Sequence, residues 1–85
     1  MRYDIKYTSE AAKEMLAIGQ PVRMRVMKVA EKLRNWPDVS GVKPMSGNLA
    51  GHWRLRVADK YRILFRVEEN TVLIISVGHR DGFYG

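Results

Sequence analysis

The sequence predicts an α+β fold: an N-terminal strand, a helical hairpin, then a three-stranded antiparallel meander, with both helices packed on one face of the sheet. Three observations predict it. Residues 53–57 and 61–67 alternate apolar and polar side chains with the period of two that a half-buried strand requires, and a third run of strand length follows at 71–77. Residues 9–35 instead repeat their apolar positions at helical spacing. Both helical segments precede the three consecutive strands, so one layer of helix on one layer of sheet is the economical way to bury both apolar faces.

Taken in order, Arg2-Tyr3-Asp4-Ile5-Lys6-Tyr7 puts Tyr3, Ile5 and Tyr7 on one side, a first strand over 2–7. Thr8 or Ser9 can cap the helix that follows, about 9–18, with Ala12, Met15 and Leu16 facing inward and Gly19 as its C-terminal stop. Gln20-Pro21 opens a second helix, since proline is tolerated in a first turn. Over about 21–35 this helix aligns Val22, Val26, Val29, Leu33 and Trp36 on one stripe, and its outer face carries Arg23, Lys28, Glu31, Lys32 and Arg34. Pro37 ends it, and residues 37–48 read as a long irregular connection of the kind that often carries function. Matching the apolar faces of the next two strands sets Val57 opposite Tyr61, Leu55 opposite Ile63 and Trp53 opposite Phe65, with Ala58-Asp59-Lys60 as the turn. A second turn at Glu68-Glu69-Asn70 then predicts Phe65 opposite Leu73 and Ile63 opposite Ile75. That register leaves Leu64, Val72 and Ile74 on the face away from the helices.

The same alternation collects arginines. Arg54, Arg56 and Arg62 share the face opposite the apolar one, and Arg56 falls directly across from Arg62. Like charges facing each other on a sheet cost a fraction of a kcal/mol, roughly one cross-strand pair, so a chain that accumulates them expects a polyanion. Ser76, Gly78 and Arg80 have the same parity, and the two small residues leave room for a ligand beside the arginines. The formal charge of +6 points the same way, to nucleic acid or an acidic partner.

At 85 residues the chain is expected to be one domain, 1–85, near the size where folding buries only roughly 60 % of the unfolded surface. It has no cysteine, no apolar signal core at its N-terminus and no apolar run near the roughly 18 residues of a membrane span, so a soluble cytoplasmic protein is expected. No Gly-rich phosphate loop, Ser-His-Asp set or carboxylate pair appears, which argues against nucleotide hydrolases, proteases and glycosidases. His52 and His79 lie far apart without thiolate neighbours, a poor metal set. Both read as structural, and neither a metal nor another cofactor is expected.

The order of elements, with Lys43, Gly47, Trp53-Arg54-Leu55-Arg56, Tyr61-Arg62-Ile63 and the ending Gly78-His79-Arg80-Asp81-Gly82-Phe83-Tyr84, resembles the RelE/ParE toxin superfamily, RelE branch, over nearly the whole chain. The resemblance implies the toxin of a type II toxin–antitoxin pair, a ribosome-dependent mRNA endonuclease that inhibits translation. It implies Arg62, Arg80 and Tyr84 as catalytic residues, with Arg54, Arg56 and Lys43 binding substrate. It also implies a cognate antitoxin in a hetero-oligomeric complex, its acidic or amphipathic segment covering the arginine face or the second helix. Ribosomal RNA contact is expected on Arg23, Lys28, Lys32 and Arg34. Cutting RNA through its own 2′-hydroxyl needs a base, positive charge around the phosphate and help for the leaving 5′-oxygen, which suits these residue types. Asp81 beside Arg80 can partly neutralise it.

Two rivals remain open on the sequence. A ParE-like gyrase inhibitor would use the same fold without chemistry of its own. A non-enzymatic RNA-binding module would use the same charged sheet, but Trp53, Tyr61 and Phe65 all fall on the core face and leave no stacking platform outside.

Overall fold

The computed structural model describes residues 2–79. Strand β1 (Asp4–Tyr7) leads into helices α1 (Ser9–Ala17) and α2 (Gln20–Glu31), and strands β2 (Val42–Pro44), β3 (Trp53–Val57), β4 (Tyr61–Glu68) and β5 (Thr71–His79) complete the chain. The expected fold is present: a strand, two helices, then a meander of antiparallel strands. The five strands form one sheet in the order β1-β5-β4-β3-β2. It is mixed, because β1, whose place in the sheet the sequence left open, runs parallel to β5, with Ile5 beside Val72 and Tyr7 beside Ile74. A parallel neighbour requires a long connection, and here it comprises the two helices and strands β2, β3 and β4.

Thr8 sets the start of α1. Its hydroxyl accepts from the Ala11 N–H at 3.1 Å and donates to the Ile75 carbonyl at 3.1 Å, so the cap is also a tether to β5. One oxygen of Glu14, two turns on, accepts from both the Ser76 hydroxyl (2.9 Å) and the Val77 N–H (2.8 Å), on the edge of β5 that β1 is too short to cover. These two attachments fix the helix rotation. Ala11 and Met15 are buried, whereas Ala12 and Leu16, expected inside, face outward, Leu16 being 75 % exposed. Gly19 is not the cap of α1, which ends at Ala17 with Ile18 as its C-cap. It is the N-cap of α2, and its carbonyl accepts from the Arg23 N–H at 2.9 Å.

The α2 stripe packs as expected. Val26, Ala30 and Leu33 are fully buried against Leu55, Ile63, Phe65, Val72 and Ile74, and Val22, Val29 and Trp36 border them. The helix is shorter than 21–35, since Lys32–Asn35 tighten into a 3₁₀ turn. That turn sets Trp36 edge-on to Trp53 and Phe65, with ring centroids 5.0 and 5.4 Å apart.

Within the 37–48 connection the structure adds β2, which pairs with β3 so that Lys43 stands opposite Arg54. The β3–β4 hairpin has the predicted register throughout, including Arg56 opposite Arg62. The β4–β5 register differs. The turn has two residues instead of three, with Glu68 opposite Thr71, so Phe65 faces Ile74 and Val67 faces Val72. Glu69 sits at φ 56°, a left-handed conformation that a glutamate gives no sign of adopting. Val72 and Ile74 therefore belong to the core, not to the arginine face. A bulge between Leu64 and Phe65 then restores the parity, so Leu64 pairs with Ser76, Ile63 with Val77 and Arg62 with Gly78.

Candidate functional site

The face of the sheet turned away from the helices gathers four cations from three adjacent strands. Period-two alternation places Arg54 and Arg56 on this side of β3, while the ladder adds Lys43 from β2 opposite Arg54 and Arg62 from β4 opposite Arg56. Together with Gly41 these four side chains line one recess of about 80 Å³. The lining contains no carboxylate. The two ion pairs among the described residues, Arg34–Glu31 and Arg66–Glu68, leave Lys43, Arg54 and Arg56 out. Arg62 is anchored by its own turn, its Nη1 donating to the Tyr61 carbonyl at 3.0 Å and reaching the Asp59 carbonyl at 3.5 Å. Two like-charged cross-strand pairs side by side repel one another, and an anion seated among them offsets that repulsion.

Gly41, which the sequence reading took only as part of a loop, shapes this recess. Its carbonyl accepts from the Arg56 N–H at 3.3 Å, and its φ of +82° is a conformation glycine adopts without strain. The Ser40-Gly41 pair after Pro37 was the available signal, but nothing local ties it to Arg56.

The small residues predicted beside Arg62 are present, with Gly78 directly opposite it. Ser76 is opposite Leu64 instead, and its hydroxyl is committed to Glu14. Arg80 and Tyr84 lie outside the described residues. His52 places Nδ1 3.2 Å from the Leu49 carbonyl, and His79 lies edge-on to Tyr61 at 5.4 Å.

The four cations expected to meet ribosomal RNA do not form one face. Arg34 pairs with Glu31 at 2.8 Å and also donates to the Tyr3 carbonyl, tying the 3₁₀ turn to the first strand. The hydrogen bond from Arg34 holds the Glu31 carboxyl below its ordinary range. Arg23 lines an apolar groove between the helices with Tyr7, Ala12, Met15, Leu16 and Met27. Lys28 is exposed on the last turn of α2. Lys32 instead shares a second, larger recess with Arg56, where the end of α2 meets the 38–40 loop.

The family described as the ParE toxin of type II toxin-antitoxin system, parDE, matches residues 5–82. The chain belongs to this toxin family. Among solved structures, the toxin is similar to a chain of the toxin–antitoxin complex RelBE2 from Mycobacterium tuberculosis, with 28 % identity, 94 % of this chain and 93 % of that chain covered, and a TM-score of 0.83. A mutant of the E. coli toxin RelE in the free state aligns at 23 % identity over 92 % of this toxin and 83 % of that chain, with a TM-score of 0.75. A chain of the chromosomal ParDE system of P. aeruginosa aligns at 16 % identity over 92 % and 96 % of the two chains, also at 0.75. These last two likenesses concern the fold. No curated protein matches the toxin significantly. Among its described residues no helix is long and apolar enough to cross a membrane.

Proposed function

We propose that this toxin is a ribosome-dependent mRNA endonuclease, working in the cytoplasm and held silent by a cognate antitoxin. The observation that carries the reading is the recess that Lys43, Arg54, Arg56 and Arg62 line together, four cations from three strands converging on one sheet face. A scissile phosphodiester seated there has guanidinium forks on its non-bridging oxygens, which stabilises the extra charge of the pentacoordinate transition state. The RNA 2′-oxygen loses its proton, bonds to phosphorus and displaces the 5′-oxygen, leaving a 2′,3′-cyclic phosphate and a 5′-hydroxyl. Tyr84 is assigned as the base and Arg80, with Arg62, as the stabiliser of the leaving oxygen. A phenol titrates at about 10, so Tyr84 depends on neighbouring guanidinium groups to ionise. The nucleophile belongs to the RNA itself, so the reading calls for no cofactor.

The likeness to a chain of the RelBE2 toxin–antitoxin complex supports an antitoxin partner. The antitoxin is assigned an amphipathic segment on the apolar groove, where Leu16 and Met27 are 75 and 50 % exposed and Arg23 supplies a charge for an acidic side chain. Lys28, exposed on the last turn of α2, remains the candidate for ribosomal RNA contact.

The ParE description of the matching family favours a second reading, inhibition of DNA gyrase. Induction followed by mapping of transcript ends separates the two. Codon-phased breaks in translated messages support the nuclease, whereas intact transcripts with a DNA-damage response support the gyrase inhibitor. Full toxicity of both Arg62→Ala and Arg80→Ala would remove the nuclease assignment.

A further inference from the structure

The larger recess, about 420 Å³, lies within the roughly 300–1,000 Å³ of small-molecule sites, whereas the cationic recess is far smaller. Arg56 lines both, and the loop between them contributes Ser40 to one and Gly41 to the other. The larger recess has a mixed lining. Val29, Val39 and Leu55 provide an apolar surface, while Lys32, Asn35 and Asp38 supply a cation, an amide and a carboxylate. Asn35 and Asp38 are both exposed, and neither side chain is hydrogen-bonded to another described residue. Asp38 forms no ion pair with Lys32 or Arg56 among the described residues, although all three line the same space.

An apolar surface with a few polar side chains not committed to other protein groups, beside a phosphate-sized cationic site, fits a nucleoside whose phosphate lies next door. We propose that this recess is a nucleobase subsite, holding the base of the nucleotide that flanks the scissile phosphate and reading it through Asp38 and Asn35. The proposal rests on the nuclease reading. A carboxylate accepts two parallel hydrogen bonds from a base that presents two adjacent N–H donors on one edge, and of the four RNA bases only guanine does so, through N1–H and N2–H. The Asn35 amide can donate to the neighbouring O6. Lys32 and Arg56 hold the phosphate side, so Lys32 is a substrate contact in place of a ribosomal one.

The test has a binding arm and a cleavage arm. The purified toxin is titrated calorimetrically with GMP, AMP, CMP and UMP, alone and as the Asp38→Asn and Asn35→Ala variants, both altered at exposed loop or turn positions. GMP is expected to bind about tenfold more tightly than CMP, and Asp38→Asn is expected to erase that margin without weakening CMP. In transcript-end maps, guanine enrichment beside the break should vanish in Asp38→Asn while cutting continues. Equal binding of the four nucleotides, or an unchanged margin in both variants, overturns the subsite. Intact transcripts from the unaltered toxin count against the nuclease reading alone, whatever GMP does.

Discussion

Arg56 faces Arg62 across the β3–β4 ladder and lines both recesses, so removing its charge acts on stability and on function with opposite signs. Arg56→Gln is expected to raise the unfolding free energy by about 0.2–1 kcal/mol, read from urea denaturation, because it relieves one like-charged cross-strand pair. Transcript cleavage is expected to fall by about 10² or more, the usual cost of one group aimed at transition-state charge. A variant that loses stability would refute the picture of a sheet held against its own repulsion. At Tyr7, burial pushes the phenol up, the Glu31 carboxylate adds to the shift and Arg34 opposes it. A folded value above the unfolded one means that Tyr7 contributes stability present below about pH 10 and lost as pH rises through the raised value. Tyr7→Phe should therefore lose less of its urea midpoint between pH 8 and pH 11 than the parent chain. An equal fall in both would assign the alkaline loss elsewhere. That Arg54, Arg56 and Arg62 share one face was legible in the sequence from alternation alone. Gly41 and Ser40 were not, because a loop carries no periodicity to say which strand it will touch.

Helix α1 illustrates how an element's partner overrules its own pattern. Its apolar residues suggest a stripe of Ala12, Met15 and Leu16. The Thr8 cap and the Glu14 carboxylate on β5 instead select Ala11, Met15 and Ile18, one residue round the helix. Leu16 is thereby turned out beside Met27, and the apolar groove follows from that rotation. Leu16→Glu with Met27→Glu is expected to abolish co-purification with the antitoxin and to leave the thermal midpoint nearly unchanged, since surface changes away from caps and buried partners are usually within about 0.5 kcal/mol. Retained co-purification would move the antitoxin to another surface. Strand β5 gives the same lesson in a ladder. Its existence was plain from a long apolar run, but a two-residue turn with Glu69 left-handed and a bulge at Leu64/Phe65 fixed which side chains point inward.

For the whole molecule the positive charge is concentrated into a usable field. With Lys43, Arg54, Arg56 and Arg62 each neutralising one phosphate, the log–log dependence of single-stranded RNA affinity on salt should have a slope of about −3, measured by fluorescence anisotropy between about 50 and 200 mM salt. Replacing Lys43 and Arg54 by glutamine should roughly halve that slope, and a parent slope near zero would mean that the recess does not grip a phosphate backbone. The sequence by itself determined the order of elements, the β3–β4 register and the sharing of one face by Arg54, Arg56 and Arg62, since these follow from local periodicity and short turns. Only the tertiary structure decided the parallel seat of β1 on β5, the rotation of α1, the short β2 that brings Lys43 to Arg54, and the meeting of Lys32 with Arg56. Each of these depends on contacts between segments far apart in the chain, whose geometry is set by which edge or face remains unsatisfied once the local elements have formed.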